Sequence, residues 1–219
     1  MEHGLMRQID MGNETVARVV QAAEELFAEF GHENVSLRQL TARAGVNVAA
    51  VNYYFGSKQA LTEMVFERLA QQAAAYRRAA LERVAQSTAE PGQRLEELIR
   101  AFVWPYLGDG NEVSGRLLSR FFLRHRLHPT EGTKWITDTH HNPIALDYMN
   151  AISELCPSLP ETEVVWRYFF MVNTVIISSA EDTSFERLTV LSGNRISNTD
   201  RVQRREALIG FLVSAVRNP

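Results

Sequence analysis

The chain has 219 residues, 45% of them apolar and 22% charged, with a formal net charge of −3. This is ordinary globular composition, long enough to bury a substantial core in one large domain or two modest ones. The single cysteine, Cys156, excludes an intrachain disulfide and a multi-cysteine zinc cluster.

Helical periodicity runs through nearly the whole sequence, and no strand pair or internal repeat stands out. A first helix is expected from Glu14 to Phe30, with Val16, Val19, Ala23 and Phe27 at helical spacing and Gly31 as its stop. Ser36 caps a second, short helix carrying Leu37, Leu40 and Ala44, ended by Gly45. Asn47 caps a third, reaching Tyr54 or Phe55. Ser57 caps a long fourth helix from Lys58 to about Ala85, with Leu61, Val65, Leu69 and Ala73 along one side. The run Glu90, Pro91, Gly92 marks a break. Helices then follow near Arg94–Tyr106 and Val113–His125, separated by the loop LGDGN (107–111). A longer stretch runs from Thr130 to Cys156, which Pro143 must end or kink. PSLPE (157–161) is a boundary before an apolar helix, Glu161–Ala180. A polar loop containing SGNRISNTD (192–200) leads to a last helix, Arg201–Val216, with Ala207, Leu208, Phe211, Leu212 and Ala215 on one stripe.

The longest apolar run, YFFMVNTVIISSA (168–180), is shorter than the roughly 18–20 residues of a membrane span and is interrupted by Asn173. The opening MEHGLMRQIDMGN lacks the apolar centre of a signal peptide, so a cytoplasmic protein with no membrane partner is expected.

The second and third helices, joined by a tight glycine turn and supported by the first, have the form of a helix-turn-helix. If Leu37, Leu40, Ala44, Val46, Val51 and Phe55 pack inward, the third helix is left showing Val48, Ala49, Ala50, Asn52 and Tyr53. Small side chains permit close approach to a major groove, methyl groups can meet thymine methyls, and a carboxamide can pair with adenine. Tyr53, Tyr54 and Lys58 at the far end, with Ser36 and Arg38 on the neighbouring helix, are donors suited to phosphate oxygens. The acidic overall balance, with a pI near 6.1, conceals a local asymmetry. From Asn34 to Thr62 the only charged residues are Arg38, Arg43 and Lys58.

The run VSLRQLTARAGVNVAAVNYYFGSKQAL resembles the DNA-binding signature of tetracycline-repressor-like (TetR/AcrR) regulators. Its hydroxyl residue opening helix two, Gly-Val turn, aromatic end and Phe, Ser-Lys, Leu sequence agree in register over roughly residues 13 to 62. The resemblance implies an all-α fold. It would consist of an N-terminal three-helix DNA-binding domain with helix-turn-helix (13–57), then a long connecting helix opening a larger C-terminal helical ligand-binding and dimerisation domain (58–219). It implies that Arg38 reaches a guanine or a phosphate and that Val48, Ala49, Ala50 and Asn52 meet base edges. Tyr53, Tyr54 and Lys58 would clamp the backbone of double-stranded DNA. It also implies a homodimer formed through the helices near 161–180 and 201–216. Two positions depart from the commonest pattern. Asn52 stands where tyrosine is frequent, which bears on base preference, and Gly56 stands where proline is frequent, a change expected to matter little.

The aromatic residues Phe102, Phe121, Phe122, Trp135, Trp166 and Phe170 are bulky enough to line an apolar effector pocket between helices. Trp104, Tyr106 and Met171 add to the same supply. The segments HPTEGTKWI and PSLPETEVVWRYFFM resemble regulators that sense fatty-acyl compounds. His125, His128, His140 and His141 invite a metal-site reading. However, adjacent histidines on a helix point about 100° apart, so solvated or hydrogen-bonded imidazoles are expected. Cys156 reads as an inert thiol, and no cofactor or metal is expected.

The leading expectation is a ligand-responsive repressor that binds a palindromic operator. The alternative is a DNA-tethered adaptor whose larger domain binds a protein. An enzyme is disfavoured, since no nucleophile–base pairing, HExxH or phosphate-cradling glycine loop is present.

Overall fold

The computed structural model describes residues 13–110, 112–180, 183–197 and 200–217, and among these there is no strand. The opening stretch read above for a signal peptide lies largely outside them. Polar caps set the first four helices. Asn13 accepts from the backbone N–H groups of Thr15 and Val16 to open α1 (Glu14–Phe30). Ser36 and Gln39 form a reciprocal capping box at α2 (Leu37–Ala44). The side chains of Asn47 and Ser57 accept from Ala50 and Ala60 to open α3 (Val48–Phe55) and α4 (Lys58–Gln86). All three caps expected at Ser36, Asn47 and Ser57 are present.

α5 (Pro91–Leu107) begins earlier than the expected Arg94, because Pro91 occupies the first helical turn, where its missing N–H costs nothing. α6 spans Glu112–Leu127. The 130–156 stretch divides into α7 (Glu131–Ile136), a π-helical turn (Thr137–His141) and α8 (Asn142–Leu155). Pro143 in the first turn of α8 explains the division. A proline cannot donate to the carbonyl four residues back and clashes with it, and the wider π turn, closed by Asn142 N–H donating to Thr137 O, absorbs the misfit. After α9 (Glu161–Ala180) a helix not expected from the sequence, α10 (Thr183–Leu191), precedes the polar loop, and α11 (Arg201–Arg217) ends the described chain.

α1 packs on α2, α4 and α6. α5 lies at the centre of the larger bundle, against α4, α6, α8, α9 and α11. One buried apolar cluster runs from Val16 and Phe27 through Phe66 and Phe102 to Leu212 and Val216, so the core is continuous across Ser57. α5 and α6 approach closely at Gly115, where an added Cβ would stand 2.2 Å from the Tyr106 carbonyl oxygen. The stripe expected on α11 divides between two faces. Leu208 and Leu212 turn inward with Ile209 and Val216, whereas Ala207, Phe211 and Ala215 face outward. No helix among the described residues is long and apolar enough to cross a membrane.

Candidate nucleic-acid interface and effector cavity

α3 buries only Val51 and Phe55. Its outer arc shows Val48, Ala49, Asn52 and Tyr53, with Val48 43% and Tyr53 72% exposed, and Ala50 half-buried at the edge. Tyr54 is also half-buried; its ring meets that of Tyr53 edge-on at 5.1 Å, and its hydroxyl accepts from Asn13 Nδ2 at 3.2 Å. The α3 C-terminus is therefore tied to the start of α1. Ser36 is exposed, but its hydroxyl already works in the capping box, donating to Gln39 Oε1 at 2.7 Å.

The three cations of the segment differ. Arg43 is engaged by Glu25, its Nε donating to Oε2 at 2.9 Å, and that bond holds the Glu25 carboxyl below its usual range. Arg38 is exposed, and Lys58 is half-buried with Nζ 3.4 Å from the Glu33 carbonyl oxygen. Neither has a carboxylate at ion-pair distance among the described residues. Gly56 matters more than the sequence suggested. It adopts a φ of 76°, which a proline, fixed near −65°, cannot take, so the exit from α3 differs from that of a proline-bearing sequence.

In the larger bundle, α4, α5, α6, α8 and α9, together with the π turn, enclose a cavity of about 350 Å³. Its apolar wall includes Phe102, Phe122, Met149, Val172 and Ile176; its polar groups include Arg77, His125, Arg126, His141 and Tyr168. Of the six aromatic residues proposed from the sequence, Phe102 and Phe122 line this space. Phe121 lies instead in the junction with α1 and α4, 5.2 Å from the Phe66 ring and 5.8 Å from His32. Trp135 is exposed on α7 against His140. Trp166 and Phe170 stack on each other at 5.8 Å on the outer face of α9.

The chemistry at the inner end of the cavity was not anticipated. Arg77 is fully buried, its guanidinium 4.0 Å from the Phe102 ring centroid, with Nη2 donating to the Phe102 carbonyl at 3.1 Å. Burial opposes its charge, yet the surrounding phenols of Tyr106, Tyr148 and Tyr168 hold its pKa above the ordinary value. The sequence did carry a signal. Arg77 continues the i, i+4 stripe of Leu61, Val65, Leu69 and Ala73, so a cation was due on an inward face. The π turn aims His141 at Phe122, ring centroids 4.4 Å apart. Burial, then the neighbouring Arg77, push the His141 pKa well down, so it is neutral. Its neighbour His140 turns the other way, toward Glu67 on α4 at 3.4 Å. His125 bonds Thr133 Oγ1 at 2.9 Å. No group of three or more metal-ligating side chains occurs among the described residues. Cys156 is buried, and burial raises its thiol pKa.

Two family models match the chain. "Bacterial regulatory proteins, tetR family" covers residues 19–65. "Tetracyclin repressor-like, C-terminal domain" covers residues 100–215, by itself more than half of the sequence. The chain belongs to the tetR family. Over 50 residues it is 42% identical to the HTH-type transcriptional dual regulator CecR of Shigella flexneri, a match covering 23% of this chain and 22% of that protein. The chain spans no more than about a third of the length of the curated relatives it matches. Among solved structures, AibR in complex with isovaleryl coenzyme A and operator DNA superposes with a TM-score of 0.61 at 14% identity, over 91% of this chain and 98% of that one. FadR from Bacillus subtilis in complex with stearoyl-CoA gives 0.55 at 18% identity, over 91% and 98%. At such identities the likeness is one of fold.

Within this tetR-family fold, α6 connects the two regions described. One side of it supplies Phe122, His125 and Arg126 to the cavity. Another reaches α1 and the loop that follows it. Arg120 Nη1 donates to the Ala28 carbonyl at 2.8 Å, Arg124 pairs with Glu33, and Phe121 packs on His32. α4 makes a second connection, with Arg77 at the cavity and Lys58 beside α3. The α7 region is fastened to α4 where Thr130 Oγ1 donates to Glu63 at 3.1 Å.

Proposed function

We propose that the chain is a ligand-responsive DNA-binding repressor that acts as a homodimer in the cytoplasm. The observation that carries this reading is the outer arc of α3, uncharged, uncovered and rigidly backed by Val51 and Phe55. In this reading residues 13–57 form the DNA-binding unit and 58–219 the effector and dimerisation unit. Val48, Ala49, Ala50 and Asn52 meet base edges. Arg38, Tyr53, Tyr54 and Lys58, with Ser36 at the α2 start, hold phosphates.

The dimer seam is assigned to the outer faces of α9 and α11. Trp166, Phe170, Ile177 and Phe211 are each more than half exposed there, more apolar surface than a monomer usually leaves in water. A two-fold axis through this seam would place the two α3 helices in successive major grooves, roughly 34–36 Å apart.

The effector site is assigned to the cavity between α4, α6 and α9. Its support is the position of α4 and α6, which touch both that space and the DNA-binding unit, together with the acyl-coenzyme A ligands named for the AibR and FadR structures. A ligand releases DNA only if it binds the non-fitting arrangement more tightly. Moving the balance from 99:1 to 1:99 needs a differential of about 5.5 kcal/mol. No enzymatic role is assigned.

The test is to purify the chain at low ionic strength from cells carrying fragmented genomic DNA and to sequence what it retains. A palindromic motif with half-sites one helical turn apart is expected, protected from nuclease by the dimer. Retention of no sequence above background overturns the proposal.

A further inference from the structure

The effector reading leaves the ligand's chemistry open, and the cavity narrows it. Its lining includes two arginines and two histidines, Arg77, Arg126, His125 and His141, but no aspartate or glutamate. Arg77 has no ion-pair partner among the described residues, and its Nε, although buried, has no hydrogen-bond partner there. Two more buried polar atoms nearby are in the same condition, His141 Nε2 and the hydroxyl of Tyr148, whose ring packs edge-on against Phe102 at 5.4 Å. A buried cation is ordinarily paired, and buried donors are ordinarily bonded. Within the bundle Arg77 meets only neutral groups, the Phe102 carbonyl and the phenols of Tyr106, Tyr148 and Tyr168, so no anion there balances its charge.

Resting on the effector assignment above, we propose that the cavity takes a small amphipathic carboxylate. Its acid group is held by Arg77 at the inner end, and its hydrocarbon body lies against Phe122, Met149, Val172 and Ile176. The guanidinium fork matches a carboxylate in two parallel bonds, with Nε one of the donors now unmatched. Neutral His141, which lines the cavity, supplies a hydrogen bond without a competing charge. Arg126, exposed where it lines the cavity and bonded to Asn173 Oδ1 on α9, adds positive field at the solvent side. The size is consistent. About 350 Å³ is at the low end of ligand pockets, which run from about 300 to 1,000 Å³. A thioester would present an uncharged carbonyl to Arg77, so the free acid is the ligand form that satisfies it.

Isothermal titration of the full chain with octanoate, decanoate, octan-1-ol and octanoyl-coenzyme A tests this. Saturable binding of at least one acid per subunit is expected, about 10- to 100-fold tighter than the alcohol, the range of a hydrogen-bonded charge. Arg77→Met should abolish the preference of acid over alcohol, with the helical circular-dichroism spectrum intact, and Arg77→Lys should keep part of it. The proposal is overturned if neither acid binds or if the alcohol equals the acids. It is equally overturned if only the thioester binds or if Arg77→Met keeps the preference. A preparation that retains operator DNA yet shows no acid preference sinks the ligand class alone. One that retains no DNA sinks the regulator reading instead.

Discussion

Removing Lys58 tests whether the charges around α3 divide as their surroundings require. Lys58 stands beside the α3 exit with only a long contact to the Glu33 carbonyl, whereas Arg43 is already engaged by Glu25. A cation that neutralises one phosphate contributes about 0.9 to the slope of log affinity against log salt, so Lys58→Ala in both subunits should flatten it by about 1.8. Between about 50 and 200 mM salt the unmodified dimer would then lose about 12-fold more affinity than the variant. Fluorescence anisotropy with the retained operator duplex, titrated with potassium chloride, reads this directly. Arg43→Ala should change the slope less, because a phosphate would have to displace the Glu25 carboxylate. If Lys58→Ala leaves the slope unaltered, or Arg43→Ala flattens it as much, the division of roles inferred from those contacts is wrong.

Asn52→Ala should leave that salt slope unchanged while altering which base pairs are selected, by about 1–3 kcal/mol at the position read; selection from a randomised duplex library would reveal it. Phe170→Glu or Phe211→Glu should weaken self-association at least about 30-fold, measured by sedimentation, without loss of helicity, since both rings are already exposed in one subunit. Unchanged dimer mass would move the seam elsewhere. Gly115→Ala should destabilise the fold by about 1–3 kcal/mol, because its Cβ would meet the Tyr106 carbonyl. By calorimetry this is a fall of about 2–12 °C in Tm, and an unaltered Tm would mean that α5 and α6 separate freely.

The helices of the N-terminal region were legible because their signals are local. A capping side chain two or three residues from the N–H groups it serves, and a glycine at the stop, fix a helix end whatever the rest of the molecule does. The same holds for Pro143, whose disruption of the 130–156 helix was visible, although its resolution as a π turn was not. α10, only nine residues long and directly ahead of the polar loop, was not separated from that loop in the sequence.

The aromatic residues offered for the cavity fared differently. Phe102, Phe121, Trp166 and Phe170 look alike in a sequence, since each is an aromatic residue on a helix. Which of them meets the cavity, the junction with α1 or the outer face of α9 depends on helix rotation within the bundle.

The sequence by itself therefore determined the helix-turn-helix and its uncharged outer arc, because helix caps, turns and a 3.6-residue period act over distances shorter than one helix. Only the tertiary structure decided that Arg77 would be enclosed without an acidic partner and that α6 would touch both the cavity and α1. Those facts come from how helices distant along the chain pack together, and no local pattern encodes which side chains that packing leaves facing a common space.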